Sequence, residues 1–275
     1  MIKRILLALG GTPFSNVAVR RGIELAQAHG ASLVAVTILD TRYWQTDPGS
    51  WMSAGQAARL IETQPWIAAQ QRVEKVVNEF ERACSAARVA FEIHRPKEQP
   101  FEVLSDSWRY CDLVVFGLRG LFDYNLVPEP ESIIADLIRN GVRPILAVSN
   151  EYRPIRKVLI AYSGSMESAK AMKQFVQMRL WPQALMKITC FGRERVESER
   201  LLADAASYCQ SHGLSPMTES VETSARSSLL THAQAMDADL IVMGDSFRHV
   251  LLRNLLGDTM SDLIRVADRP LFLSH

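Results

Sequence analysis

The sequence lacks an imbalance of charge. Its 275 residues include 31 lysines and arginines against 30 aspartates and glutamates, and residues 1–150 hold equal numbers of the two kinds. Proteins that bind nucleic acids or anionic membranes do so through a local surplus of positive charge. The balance therefore argues against a nucleic-acid partner and against a membrane partner.

Long apolar runs and paired cysteines are also missing. No run approaches the roughly 18 apolar residues of a membrane span, and Ile5–Leu9, near the start, is too short for the core of a signal peptide. The four cysteines form no CxxC pair, which favours reduced thiols, and all but Cys190 fall where apolar helices or strand edges are expected. We therefore expect a cytoplasmic protein.

What is present indicates folded domains. Apolar residues make up 48% of the chain and charged residues 22%, a balance typical of globular proteins. The length suits two domains of about 130 to 140 residues, each large enough to bury its own core.

An internal repeat divides the chain into two copies. Three segments of the first half match segments of the second in order: Leu6–Ser15 matches Leu159–Ser168, Asp112–Gly117 matches Asp239–Gly244, and Asp136–Arg139 matches Asp262–Arg265. The first two matches differ in offset, which indicates extra residues in the first half. The repeat predicts domains at 1–149 and 155–275, with an insert at about 41–66.

Each copy alternates short β-branched runs with helical periodicity, the pattern of βαβ units. The predicted strands are Lys3–Leu9, Leu33–Leu39, Ala90–His94, Leu113–Gly117 and Pro144–Val148, then Val158–Tyr162, Met186–Phe191, Met217–Val221, Leu240–Gly244 and Leu271–Ser274. The predicted fold class is α/β, with two tandem doubly wound domains. Each domain is a five-stranded parallel sheet with helices on both faces.

In such folds ligands bind at the carboxyl ends of the strands. Two loops of each copy end there: the glycine-containing turn after the first strand and the loop after the fourth strand. Glycines let the backbone approach a phosphate, and helix N-termini supply free amides. The alternative interpretation is that these glycines only make the turns.

These two loops resemble those of the universal stress protein family, over nearly the whole chain. That family shows V-A-x-D-G-S-x-x-S after the first strand, and G-x-x-G, nine residues, then G-[ST] after the fourth. In its nucleotide-binding members the Asp and nearby backbone hold adenine and ribose, while the later glycines and hydroxyl hold phosphates.

The first copy departs from this pattern. Gly10 stands for the Asp, whereas Gly11-Thr12 and Ser15 keep the turn. Gly117 and Gly120 keep the first phosphate element, but Pro130-Glu131 replaces the G-[ST] pair. Because proline offers no amide and glutamate repels phosphate, we expect this site to be disabled.

The second copy keeps more of the pattern. Ser163 replaces the Asp and Phe247 the second glycine, and Asp258 stands where the phosphate-binding hydroxyl is expected. The resemblance implies a ligand site formed by Ser163, Gly164, Ser165, Gly244, Gly257, Asp258 and Thr259. No cofactor is expected to be required, and ATP in the second domain is the candidate ligand.

No catalytic or metal-binding group stands out. The histidines show no metal-ligand spacing, and no serine has a base that the sequence could nominate. We therefore expect no enzyme but a cytoplasmic stress-response protein that binds a small ligand or a protein partner. Two alternatives stay open: an ATP-dependent enzyme, because Ser163–Ser168 distantly resembles the S-G-G-x-D-S loop of ATP pyrophosphatases, and a structural pairing module without ligand.

Two further features bear on partners. The insert carries Tyr43, Trp44, Trp51 and Trp66, which either mark a binding edge or dock onto the domain to order a polar loop. The fifth strands are short, apolar and expected at sheet edges, where an uncovered strand invites aggregation. We expect Ile145–Val148 to pair antiparallel with Leu271–Leu273, which would make the chain an intramolecular pseudo-dimer.

Overall fold

The structure is a computed structural model that describes residues 2–39, 56–124, 126, 130–244, 264 and 266–274, and no side chains for 56–66, 131, 135 and 138–140. These residues form two compact units, Ile2–Ile133 and Ile134–His275. We call them the first unit and the second unit.

The first unit is a parallel sheet with helices between its strands. Its elements are β1 (Arg4–Leu9), α1 (Pro13–His29), β2 (Ser32–Thr37), α2 (Gln56–Ala87), β3 (Phe91–His94), α3 (Pro100–Trp108), β4 (Leu113–Phe116) and α4 (Gly120–Asp123). The strands lie in the order β3-β2-β1-β4 and all pair in parallel. Helix α5 (Pro130–Asn140) leads into the second unit.

The second unit repeats this plan. Its elements are β5 (Ile145–Ala147), β6 (Lys157–Tyr162), α6 (Met166–Met178), β7 (Leu185–Phe191), α7 (Arg195–Ser211), β8 (Met217–Val221), α8 (Ala225–Ala235), β9 (Leu240–Gly244) and β10 (Leu271–Ser274). The strands lie in the order β5-β10-β9-β6-β7-β8. All neighbours pair in parallel except β5 and β10.

A matching aspartate secures the start of the first strand in each copy. The Asp112 carboxylate accepts hydrogen bonds from the backbone amides of Lys3 and Arg4, at 2.7 and 3.1 Å. In the second unit Asp239 accepts from Arg156 and Lys157, at 2.8 and 2.9 Å. The repeated aspartate therefore satisfies strand-end amides that have no other strand to pair with.

The predicted fold class is confirmed. All ten predicted strands are present, with ends within two residues of the predicted ones. Parallel strands covered on both faces are continuously apolar, and β4 and β9 are buried along their whole length. That pattern is what made the strands recognisable.

The fifth strands pair antiparallel. Ile145, Leu146 and Ala147 of β5 lie opposite Leu273, Phe272 and Leu271 of β10. This pairing joins residues 134–149, which belong to the first copy, to the second unit. The limit between the compact units therefore falls at residue 133, whereas the predicted domain limit follows the repeat and lies at 149.

The insert differs from the predicted polar loop in its second part. Residues 56–66 continue into the long helix α2. Trp66 is part of that helix, and Tyr43, Trp44 and Trp51 lie outside the described residues. The part of α2 that follows the insert covers the loop after β1, as shown below.

All four cysteines are buried and unpaired, Cys190 included. Burial raises the pKa of the Cys84 thiol to about 12 and that of the Cys209 thiol to about 11, so these thiols stay protonated and unreactive at neutral pH. Of the helices within the described ranges, none is both long enough and apolar enough to cross a membrane.

Candidate functional site

The loop between β6 and α6 forms the open part of the candidate site. Gly164 has a φ of +75°, a left-handed conformation that lets the chain turn sharply out of the strand. Ser165 then caps α6, because its Oγ accepts a hydrogen bond from the Ser168 amide at 3.2 Å. Gly164 is exposed, and Ser163 and Ser165 are half-buried.

Three serine hydroxyls converge in this loop. The Oγ of Ser163 lies 3.0 Å from that of Ser165 and 3.2 Å from that of Ser168. Ser168 in turn donates to the Ser165 carbonyl at 2.9 Å. These hydroxyls bond to one another and to backbone groups of the loop, so the loop holds several polar groups that can bond to a ligand.

Gly244 brings the end of β9 against this loop. A Cβ atom at this position would lie 2.3 Å from the Glu167 carbonyl oxygen and 2.6 Å from the Ser168 amide nitrogen. Only a glycine permits so close an approach. The structure therefore brings together Ser163, Gly164, Ser165 and Gly244, whereas Gly257, Asp258 and Thr259, with Phe247, lie outside the described residues.

The matching loop of the first unit is buried. Gly10, Gly11, Thr12 and Ser15 are all inaccessible to solvent. The Gly10 amide donates to Ser15 Oγ at 3.0 Å, as the Ser163 amide does to Ser168 Oγ at 3.3 Å. The two loops therefore share a turn but differ in exposure.

Side chains of the first unit fill the space beside Gly10. A Cβ atom on Gly10 would lie 2.7 Å from Leu126 Cδ1 and 3.1 Å from Ile38 Cδ1. A Cβ atom on Gly11 would lie 2.7 Å from the Val73 backbone nitrogen in α2. The loop is thus closed by Leu126, by Ile38 and by the helix that follows the insert.

The glycines after β4 serve packing. A Cβ atom on Gly117 would lie 2.2 Å from the Phe14 Cβ, and one on Gly120 would lie 3.1 Å from Thr12 Oγ1. Pro130 is the first residue of α5, a position where its missing amide costs nothing. These residues hold α1 and α4 against each other, so the turn motif persists although the loop is closed.

Sequence reasoning missed the residues that close this loop. Leu126 is buried although it lies between an exposed turn and Pro128. The apolar pair Leu126-Val127 in an otherwise largely polar connection was the available signal.

A polar cluster that the sequence did not indicate joins β7, β8 and α8. The Glu219 carboxylate accepts a hydrogen bond from Lys187 Nζ at 2.9 Å and lies 3.1 Å from His232 Nε2. Burial alone would raise the pKa of Glu219, but Lys187 and then His232 outweigh that effect and lower it. Within the described ranges, no group of His, Cys, Asp and Glu side chains could hold a metal ion.

We expect the stability contributed by Glu219 to depend on pH. Because its folded-state pKa lies below the ordinary value of 4.5, the contribution is complete above that value and is lost as the pH falls through the folded-state pKa. The difference in unfolding free energy between the unmodified protein and Glu219→Gln should therefore be fully present at about pH 6 and shrink towards pH 3. Urea denaturation at each pH measures it. In a Lys187→Met background the shrinkage should be smaller, and an unchanged profile would contradict the assignment.

A model of a known protein family matches this chain. The model of the universal stress protein family matches residues 1–127 and 191–275, which is most of the chain. The match includes the turn at Gly10–Ser15, whereas the turn at Ser163–Ser168 lies between the two matched segments. The chain belongs to the universal stress protein family. No match was found among curated proteins.

Solved universal stress proteins share the whole two-copy plan. The chain is similar to a universal stress protein from Archaeoglobus fulgidus, with 14% identity and a TM-score of 0.65, over 98% of this chain and 97% of that one. It is also similar to a putative universal stress protein from Pseudomonas aeruginosa, with 14% identity and a TM-score of 0.54, over 99% and 93%. At this identity the likeness shows the fold, so the ligand has to be argued from the site.

Proposed function

We propose that this universal stress protein acts in the stress response by binding a small ligand, an adenine nucleotide, in the second unit alone. One observation carries the proposal. The loop after β1 is filled by Leu126 and Ile38, whereas in the matching loop after β6 Gly164 is exposed and Ser163 and Ser165 are only half-buried. The turn then stabilises the packing of the first unit, whereas in the second unit it binds the ligand.

The chemistry of the open loop suits the neutral part of a nucleotide. Hydroxyls of Ser163 and Ser165 can exchange hydrogen bonds with ribose hydroxyls or ring nitrogens. Glu167 lies in the first turn of α6, where its negative charge competes with a phosphate for the helix N-terminus. Phosphates would therefore lie away from the N-terminus of α6.

We further propose that the protein has no catalytic activity of its own and works in the cytoplasm. The three serines of the loop bond to one another, an arrangement that supports a role in hydrogen bonding to a ligand. Four unpaired thiols are typical of proteins in reducing compartments. Pyrophosphate or phosphate released from ATP by the purified protein, and abolished by Ser163→Ala, would favour the enzyme alternative instead.

The decisive test introduces the family's aspartate into each loop in turn. Ser163→Asp should raise the affinity for ATP by about tenfold, because one added hydrogen bond to a charged group contributes about 1.5 kcal/mol. Gly10→Asp should leave the affinity unchanged and lower the stability, because Leu126 occupies the space that the new side chain needs. Isothermal titration of the full chain measures affinity, and urea denaturation measures stability.

The two variants are matched controls because they make the same addition at equivalent positions. If Gly10→Asp raised the ATP affinity and Ser163→Asp did not, the assignment to the second unit would be wrong. If neither the unmodified protein nor Ser163→Asp bound ATP, and no nucleotide left the protein on denaturation, the pairing module without ligand would be the better explanation.

We also propose that the two copies form one rigid pseudo-dimer, supported by the antiparallel pairing of β5 with β10. Spin labels on exposed Tyr110 and Val196 should give a narrow distance distribution. Leu273→Pro, which removes a hydrogen-bond donor from β10, should broaden it. A broad distribution in the otherwise unmodified labelled protein would exclude the pseudo-dimer.

A further inference from the structure

At one edge of the sheet in each unit lies a strand that, among the described residues, pairs with only one other strand. Strand β3 is the last in the order of the first unit, and β8 is the last in the order of the second. Among the described residues, β8 pairs only with β7. The outer side of such a strand presents unpaired amides and carbonyls that can accept another chain.

The edge at β3 is protected by charges. Glu92 forms an ion pair with Arg4 at 2.5 Å, and Arg95, directly after the strand, pairs with Glu74 at 3.4 Å and Glu81 at 3.0 Å. Charged side chains at an edge are a common means of preventing edge-to-edge association. These charges therefore disfavour the pairing of another strand with β3.

The edge at β8 differs because it presents small polar side chains. Thr218 and Ser220 are exposed and carry small hydroxyl side chains that leave the backbone accessible. They line a cleft of about 760 Å³ between β8 and α7, whose helix side is formed by Leu202, Ala203 and Ala206. A strand laid along β8 would therefore find an adjacent hollow, with apolar and small residues, for its alternate side chains.

The mouth of the cleft is negative. Its two arginines are already paired, Arg193 with Glu197 and Arg195 with Glu199. Exposed Glu194 and Glu222 also line the cleft, and within the described residues neither has a cation at ion-pair distance. Two carboxylates without counter-charge favour a basic occupant.

We propose that β8 and this cleft bind an extended basic peptide segment of a partner protein by strand addition. The main chain of the peptide pairs with β8, its apolar side chains enter the cleft at alternate positions, and lysines beyond the paired residues face Glu194 and Glu222 at the mouth. A second copy of this chain fits poorly, because antiparallel pairing of two β8 strands about their central residue would place two Glu219 carboxylates opposite each other.

The test uses the full chain and a fluorescent ten-residue peptide in which six alternating valines and threonines are flanked by two lysines at each end. Two matched peptides serve as probes, one with glutamate for lysine and one with alternate backbone amides methylated. Fluorescence anisotropy should show binding of the lysine peptide that weakens at least tenfold with either change. Hydrogen exchange should show that the amides of residues 217–221 become protected, and those of β3 should not.

Variants separate the cleft from general charge attraction. Ser220→Lys should weaken binding at least tenfold, because it places a positive charge and a long side chain on the edge. Ser211→Lys, with the same charge change at the exposed C-terminal end of α7, should leave binding within twofold. Equal binding of the methylated peptide, equal loss in both variants, or no binding of the lysine peptide would each overturn the proposal. So would a dimer of the unmodified protein in sedimentation that Ser220→Lys dissociates, because β8 would then be occupied by a second copy.

Discussion

Replacing Phe272 by alanine should lower the free energy of unfolding by about 3 to 5 kcal/mol, the usual loss when a buried aromatic ring is removed. Phe272 is fully buried on β10, where it lies between Val242 of β9 and Leu146 of β5. Its ring meets that of Phe175 in α6 edge to face, with centroids 5.3 Å apart. Urea denaturation followed by circular dichroism measures the loss.

A matched control separates burial from residue type. Leu185 is a large apolar residue at the start of β7 with 62% of its surface exposed, so Leu185→Ala should change stability by less than about 0.5 kcal/mol. If Phe272→Ala cost no more than Leu185→Ala, the pairing of β10 with β5 and β9 around a common core would be wrong.

Gly244→Ala should cost about 3 kcal/mol, at the upper end of the penalty for crowding a packed interior. The added Cβ would meet backbone atoms of Glu167 and Ser168 within 2.6 Å, and backbone in a helix cannot turn aside as a side chain can. Strand β9 would have to move away from α6. Because that movement opens the loop at Ser163, the same variant should also weaken binding of ATP in a titration.

The control for this variant is Gly30→Ala. Gly30 has a left-handed φ of +61°, but a Cβ there meets nothing within 4 Å. Its cost should be the conformational penalty alone, about 1 kcal/mol. If both variants lost equal stability, the close approach of β9 and α6 would not be the reason for a glycine at position 244.

The strands were predictable because each carries its signal locally. Parallel strands covered on both sides are apolar throughout, so β4 and β9 stand out between polar helices and turns without reference to distant residues. The antiparallel pairing of Ile145–Ala147 with Leu271–Leu273 was also predictable, from the need to cover two short apolar edges. The exact limits of the compact units could not be predicted, because they depend on which copy β5 packs against.

The candidate site was predictable only in part. The approach of Gly244 to the Ser163 loop follows from the rule that the ends of neighbouring parallel strands meet. Closure of the Gly10 loop depends on Leu126, more than a hundred residues further along the chain, and on Val73 in the helix between β2 and β3. No local pattern joins those residues. The Glu219 cluster was missed for the same reason, since its three members lie on separate elements.

Strand β5 belongs to the first copy but pairs with β10 of the second, and this pairing affects where the chain can be divided into fragments. A fragment that begins at residue 155 would contain β10 without the strand that covers its outer edge, although the repeat alone suggests a complete domain. Such a fragment should restore the missing pairing with a second fragment, β10 against β10, because that edge is short, apolar and unguarded by charge. A fragment that begins before α5 instead keeps β5 with β10. The piece in which β10 keeps both of its neighbouring strands is therefore larger than the repeating unit.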